Sequence, residues 1–135
     1  MNDYNLGDVR FYIDHDKSFL YTERHDKLTR EGVYAEWYNI QQLEGFVPSY
    51  DSIADYSFVP DYDFDLSELK EISKEMSNYD VRTGNVAIVT GIDAGRFLLA
   101  QFFCRTVNMV NRRKHQVFKS KAEAESWLLS IRKNK

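Results

Sequence analysis

His25 is followed directly by Asp26, and an imidazole beside a carboxylate can serve as a base because it titrates near neutral pH. No serine or cysteine stands at a spacing that would make it the matching nucleophile, and an exposed turn histidine is the plainer reading. Gly91-Ile-Asp-Ala-Gly-Arg96 joins an apolar run to the start of a helix. Free backbone N–H groups there could hold an anion, with Arg96 adding charge. The P-loop spacing with its Lys-Ser/Thr is absent, as is a G-x-G-x-x-G run, so no nucleotide cofactor is expected. Asp93 fits better as a helix cap. Asp61, Asp63 and Asp65 alternate like the opening of a calcium loop, but Leu66 stands where that loop needs Gly and Ile72 where it needs Glu. No metal is expected, and Asp65 reads as a cap. Arg105, Arg112, Arg113, Lys114 and His115 form a basic cluster of the kind a nucleic-acid surface needs. The chain is nevertheless acidic, with net charge -3 and pI about 5.6. Nucleic acid is therefore not an expected partner, and the cations offset a helix C-terminus instead. Cys104, the one cysteine, lies in Phe102-Phe103-Cys104 and reads as a buried, inert thiol.

These residues are carried by a clear alternation of elements. Residues 9–14 alternate apolar and polar and predict a half-buried strand; 15–17 have turn chemistry, and 18–23 predict the returning strand. Thr29 caps a predicted helix to about Gln42, with Val33, Trp37 and Ile40 on one stripe. Residues 53–59 predict a third strand. Asp65 and Glu68 form a capping box that opens a helix with Leu69, Ile72 and Met76 on one face. Residues 85–90 hold a short unbroken apolar run, Val86 to Val89, as in a central strand covered on both sides. Residues 94–110 predict a helix that is apolar nearly all round, either deeply buried or half of an interface. Residues 115–119 predict a fifth strand. Ser120 and Glu123 open a last helix that buries Ala124, Trp127, Leu128 and Ile131. The expected fold class is α/β: one domain over residues 1–135, with a mixed sheet of about five strands. An N-terminal hairpin precedes parallel β-α units, and four helices flank the sheet.

Three segments resemble the STAS/SpoIIAA-like superfamily, in particular its small stand-alone bacterial members, the STAS/SEC14-type domains. They are the hairpin with its capped helix at Thr29-Arg-Glu-Gly-Val33, Gly84-Asn-Val-Ala-Ile-Val-Thr90 with the following Gly95-Arg96-Phe97, and Gln116-Val-Phe118 with Lys121-Ala-Glu-Ala-Glu-Ser-Trp-Leu128. The last is the most specific. The resemblance implies a SpoIIAA-like fold and no catalytic motif. In the anti-sigma-factor-antagonist branch, an Asp-Ser-Ser-Gly segment at a helix start carries a regulatory phosphoserine. The corresponding stretch here is Pro60-Asp-Tyr-Asp-Phe-Asp-Leu-Ser67, so Ser67 falls in a first helical turn without the Ser-Ser-Gly context.

In a parallel sheet the loops after the strands share one pole, where ligands of open α/β sheets bind. The candidate ligand or anion pole comprises His25, Asp65, Ser67, Asp93, Gly95 and Arg96. Interface candidates are Phe97, Phe102, Phe103 and Met109 on the apolar helix. Charge is divided along the chain: residues 1–80 carry -11 (7 Lys/Arg against 18 Asp/Glu) and residues 81–135 carry +8 (11 against 3). The two halves either attract a charged partner or neutralise each other within the fold. Residues 34–64 are rich in Tyr and Phe, suited to an apolar pocket, a partner surface or a sheet cover. The absence of a secretion signal, of paired cysteines and of an apolar run of about 20 residues points to a cytoplasmic protein without membrane insertion. The expected function is a non-catalytic regulatory or protein-interaction module, with a protein partner or self-association. One alternative is a carrier of a small apolar ligand or lipid; another is a small enzyme working at the pole around His25 and Arg96.

Overall fold

The computed structural model describes residues 2–110 and 113–133, without the side chains of 2, 77 and 110. The chain opens with β1 (Asn2–Leu6), β2 (Val9–Asp14) and β3 (Phe19–Arg24), an antiparallel meander. Gly7, at φ 67°, takes the left-handed conformation that a two-residue turn needs between β1 and β2. β4 (Leu28–Thr29) leads into α1 (Arg30–Gln41), and the Thr29 hydroxyl accepts the Gly32 N–H at 2.9 Å as the sequence predicts. β5 (Asp51–Asp55) pairs parallel to β3, and β6 (Tyr62–Asp63) pairs parallel to β4. α2 (Leu66–Tyr79) carries the reciprocal capping box of Asp65 and Glu68. β7 (Val86–Val89), α3 (Ala94–Val110), β8 (His115–Phe118) and α4 (Lys121–Lys133) complete the chain.

The main sheet runs β1-β2-β3-β5-β7-β8 and is mixed, as expected, with β4-β6 forming a separate two-stranded ladder. It has one strand more than the sequence pattern predicts. β1 is exposed and polar, an edge strand with no apolar alternation to announce it. The third predicted strand is also displaced: it spans Asp51–Asp55 rather than 53–59. Asp55 ends it by accepting the Ser57 N–H and hydroxyl, and Tyr56 and Val59 turn into the core as loop residues. A loop of buried apolar residues and a strand of them look alike in sequence.

Side chains alternate across the sheet. Phe19, Tyr21, Ile53, Ala87 and Val89 meet Ala124 and Leu128 of α4 on one face. Ala54, Val86, Ile88 and Val117 meet α1, α2 and α3 on the other, through Val33, Trp37, Leu69, Ile72, Met76, Phe103 and Val107. A third cluster joins Phe11, Ile13 and Leu20 to Ile40 near the end of α1. The opposed charges of the two halves meet inside the fold: Arg132 pairs with Asp51 at 2.8 Å, and Arg82 and Arg113 pair with Asp80 at 2.7 and 3.2 Å. No helix among the described residues is long and apolar enough to cross a membrane.

Candidate binding site

The groups of the pole predicted from topology serve the fold. Asp65 caps α2, and the Asp93 carboxylate caps α3 by accepting the Arg96 N–H at 3.0 Å. Gly95 lies exposed in the first turn of α3, and Ser67 lies exposed in that of α2. Arg96 donates to the backbone carbonyls of Val59 and Pro60 and lies over the Tyr62 ring, so its guanidinium pins the 56–62 loop. His25 stacks on Phe58 with ring centroids 4.9 Å apart and meets Glu23 at 3.0 Å rather than Asp26. Asp26 instead pairs with Arg24 at 2.7 Å. Asp63 is neutralised by Lys27 at 3.2 Å. Every candidate cation at this pole therefore already has a protein partner. Arg96→Ala should release the 56–62 loop and cost about 1–2 kcal/mol, since two charge-assisted hydrogen bonds of a half-buried group are lost. Urea unfolding measures the cost, and faster amide exchange confined to that loop checks its cause; unchanged exchange there would contradict the assigned role.

Two sequence readings are corrected. Phe103, an interface candidate, is buried in the core at the edge of His115, because α3 turns its 100-103-104-107 stripe to the sheet. Phe97 and Phe102 are half-buried against the same core, and Met109 alone of the four is openly exposed. The basic cluster also does not lie on the surface as a patch. Arg113 and His115 are 8% and 2% exposed, drawn inward by Asp80 and by the Gly84 and Arg82 carbonyls. Arg112 lies outside the described residues. Cys104 is buried, as predicted, and burial pushes its thiol up to about 12.

The site that sequence reasoning missed lies under the three helices. A cavity of about 60 Å³ is walled by Trp37 of α1, by Leu69, Ile72 and Met76 of α2, and by Leu99, Ala100 and Phe103 of α3. Ala54, Val86 and Ile88 form its floor on the sheet, and Tyr62 and Phe64 close one side. Besides Tyr62, whose hydroxyl is buried without a hydrogen bond, the lining takes in the polar side chains of Glu36, Tyr56, Arg82 and His115.

Toward the C-terminal ends of the parallel strands, Glu36 Oε2 accepts from Tyr56 Oη at 2.6 Å, and Oε1 accepts from Arg24 Nη2 at 3.3 Å. Glu36 is 2% exposed, and burial pushes its pKa up against the pull of Arg24. Burial likewise raises Tyr56 well above the ordinary phenol value, so it stays the donor. Toward the N-terminal ends, Arg82 gives Nε and Nη2 to Asp80 at 2.8 and 2.7 Å, which leaves Nη1 over. Arg113 Nη1 reaches the same carboxylate at 3.2 Å, while its Nη2 is buried without a hydrogen bond. Both ring nitrogens of His115 are also buried without a hydrogen bond of normal geometry, the Arg113 main chain giving at most a weak interaction. The backbone of His115 is held on both sides by the Asn108 amide, at 2.8 and 2.9 Å, and its ring lies edge-on to Phe103. Burial, then the Arg113 and Arg82 charges, push its pKa down to about 3, and it is neutral at pH 7. A buried imidazole with two idle nitrogens is costly, and such a group calls for an explanation such as a bound molecule.

One sequence signal pointed here. Glu36 sits among Val33, Trp37 and Ile40 on the buried stripe of α1, where a carboxylate needs a partner. Nothing local links Asp80 and Arg82 to Arg113 and His115, which reach them only through sheet pairing.

A sheet of this order, with three helices on one face and one on the other, is a SpoIIAA-like α/β domain. The chain is similar to an uncharacterised protein of the DUF3478 family from Shewanella loihica PV-4, whose crystal structure has a SpoIIAA-like fold. The two share 19% identity with a TM-score of 0.55, over 93% of this chain and 97% of that one. No family model matches the sequence, and no curated protein matches it. The neighbour establishes the fold; the ligand has to be read from the site.

Proposed function

We propose that this chain is a non-catalytic binding module that holds a small, mainly apolar molecule in the cavity beneath α1, α2 and α3. The observation that carries the reading is His115, 2% exposed and without a hydrogen bond of normal geometry at either ring nitrogen, on a wall that is otherwise largely apolar. Apolar walls with a few fixed polar groups are the usual make-up of small-molecule sites. Volume sets the scale. A buried water takes roughly 10–15 Å³ of such space, and an engineered cavity of about 150 Å³ holds benzene. At about 60 Å³ the site suits a few waters or a ligand of a handful of heavy atoms, and a lipid would require α2 and α3 to separate.

A second reading, a protein-interaction module, is favoured by the outer face of α3, where Leu98 is 64% and Met109 85% exposed. Native mass spectrometry of gently purified protein, repeated after denaturation, separates the two. A monomer with a non-covalent adduct that is lost on denaturation supports the ligand module. A dimer without adduct, reduced to monomer by Met109→Lys, supports the interaction module and counts against the first reading.

A further inference from the structure

The two ends of the cavity differ in charge, and the difference bears on what the ligand must be. At one end Glu36 is matched by Arg24 and Tyr56, and both carboxylate oxygens are engaged. At the other, two buried guanidiniums, Arg82 and Arg113, share the single carboxylate of Asp80, an excess of one positive charge. The unspent polar atoms at this end are mostly donors: Nη1 of Arg82, Nη2 of Arg113 and the one protonated ring nitrogen of neutral His115, whose other ring nitrogen is an acceptor. Of these residues, Arg82 and His115 line the cavity itself. Beside them the lining turns apolar, with Ile72, Met76 and Phe103.

Resting on the cavity reading above, we infer that the bound molecule is a compact monoanion of the carboxylate type, with its head at the His115–Arg82 end and a short branched or linear apolar tail among Ile72, Met76 and Phe103. A carboxylate is planar and accepts two donors at once, which suits a guanidinium edge beside an imidazole N–H. It would also balance the surplus charge, as a buried charge requires. A neutral ligand would fill the space and leave that charge uncompensated.

The test compares acids with their neutral isosteres on the full chain. Propanoate and 2-methylpropanoate are titrated against propanamide and 2-methylpropanamide at constant ionic strength. Thermal midpoint and the ring nitrogen resonances of His115 are the readouts. The acids should bind at least tenfold more tightly than the amides and shift the His115 resonances. His115→Phe should melt no lower than the wild type, because it removes an unpartnered buried ring, and should lose the acid preference. His115→Gln, which keeps one donor, should retain part of it. Amides that bind as tightly as the acids would overturn the anion assignment while leaving the cavity reading intact. Failure of all four probes to bind would overturn both.

Discussion

Replacing Asp80 by Asn should destabilise the protein by about 3–5 kcal/mol, because it strands two guanidiniums in the interior without a counter-charge. Asp80 is 8% exposed and accepts from Arg82 Nε and Nη2, the Arg82 N–H and Arg113 Nη1. Asn has the same shape but no charge, and its amide nitrogen would face donors. Arg113→Met should cost less. Arg113 is the second cation on one carboxylate, and burial and Arg82 already push its pKa down to about 10. Urea unfolding at pH 7 measures both variants, and a loss under about 1 kcal/mol for Asp80→Asn would refute the role given to this cluster.

The same cluster sets an acid sensitivity with a definite sign. Burial opposes ionisation of Asp80, but the charge and hydrogen bonds of Arg82, with Arg113, outweigh it and hold the carboxyl well below its usual range. A depressed carboxylate contributes stability above its unfolded pKa of 3.8 and loses it as pH falls further. His115 behaves in parallel: its pKa falls from 6.5 to about 3 on folding, so the unfolded chain takes up a proton between these values and the folded one does not. The share of stability set by these two groups should therefore decline as pH falls from about 6.5, and more steeply below about 4. His115→Phe should flatten the upper part of that curve and Asp80→Asn the lower part.

Gly84→Ala should cost roughly 3 kcal/mol or more and lower the melting temperature by about 10 °C, the upper end of what overpacking does. A Cβ at Gly84 would lie well inside the Tyr50 carbonyl group and 2.9 Å from the Asp51 nitrogen. These are backbone atoms at the start of β5, so no rotamer change relieves the collision. The Gly84 carbonyl also accepts from Arg113 Nε at 2.9 Å, which ties this close approach to the charged cluster. Gly95→Ala is the matched control. Its Cβ would come only to 3.4 Å from Asp93 Oδ1, within a helix, and the change should stay within about 0.5 kcal/mol of wild type. Differential scanning calorimetry of the two variants checks both statements; similar melting points would contradict the packing argument.

Much of the fold could be read along the chain because its signals are local. Helix starts at Thr29, Asp65, Asp93 and Ser120 follow from short acceptors placed one turn before apolar periodicity, and each hydrogen bond is in place. The central strand Val86–Val89 follows from an unbroken apolar run. The alternation of strand and helix then implies the parallel crossovers. β1 and the end of β5 escaped because an edge strand needs no apolar pattern and a buried loop mimics one.

The candidate site divides differently. By itself the sequence determined which residues cap helices and that Cys104 is buried; each depends on neighbours within a turn or two. Only the tertiary structure decided that Arg113 and His115 leave the apparent basic patch for the interior. The parallel pairing of β7 with β8 sets Val86 opposite His115 and brings residues 80–84 beside 113–115, bonded across 29 to 33 positions. Burial, hydrogen-bond satisfaction and the sign of a local field are properties of that packing, and sequence spacing alone does not carry them.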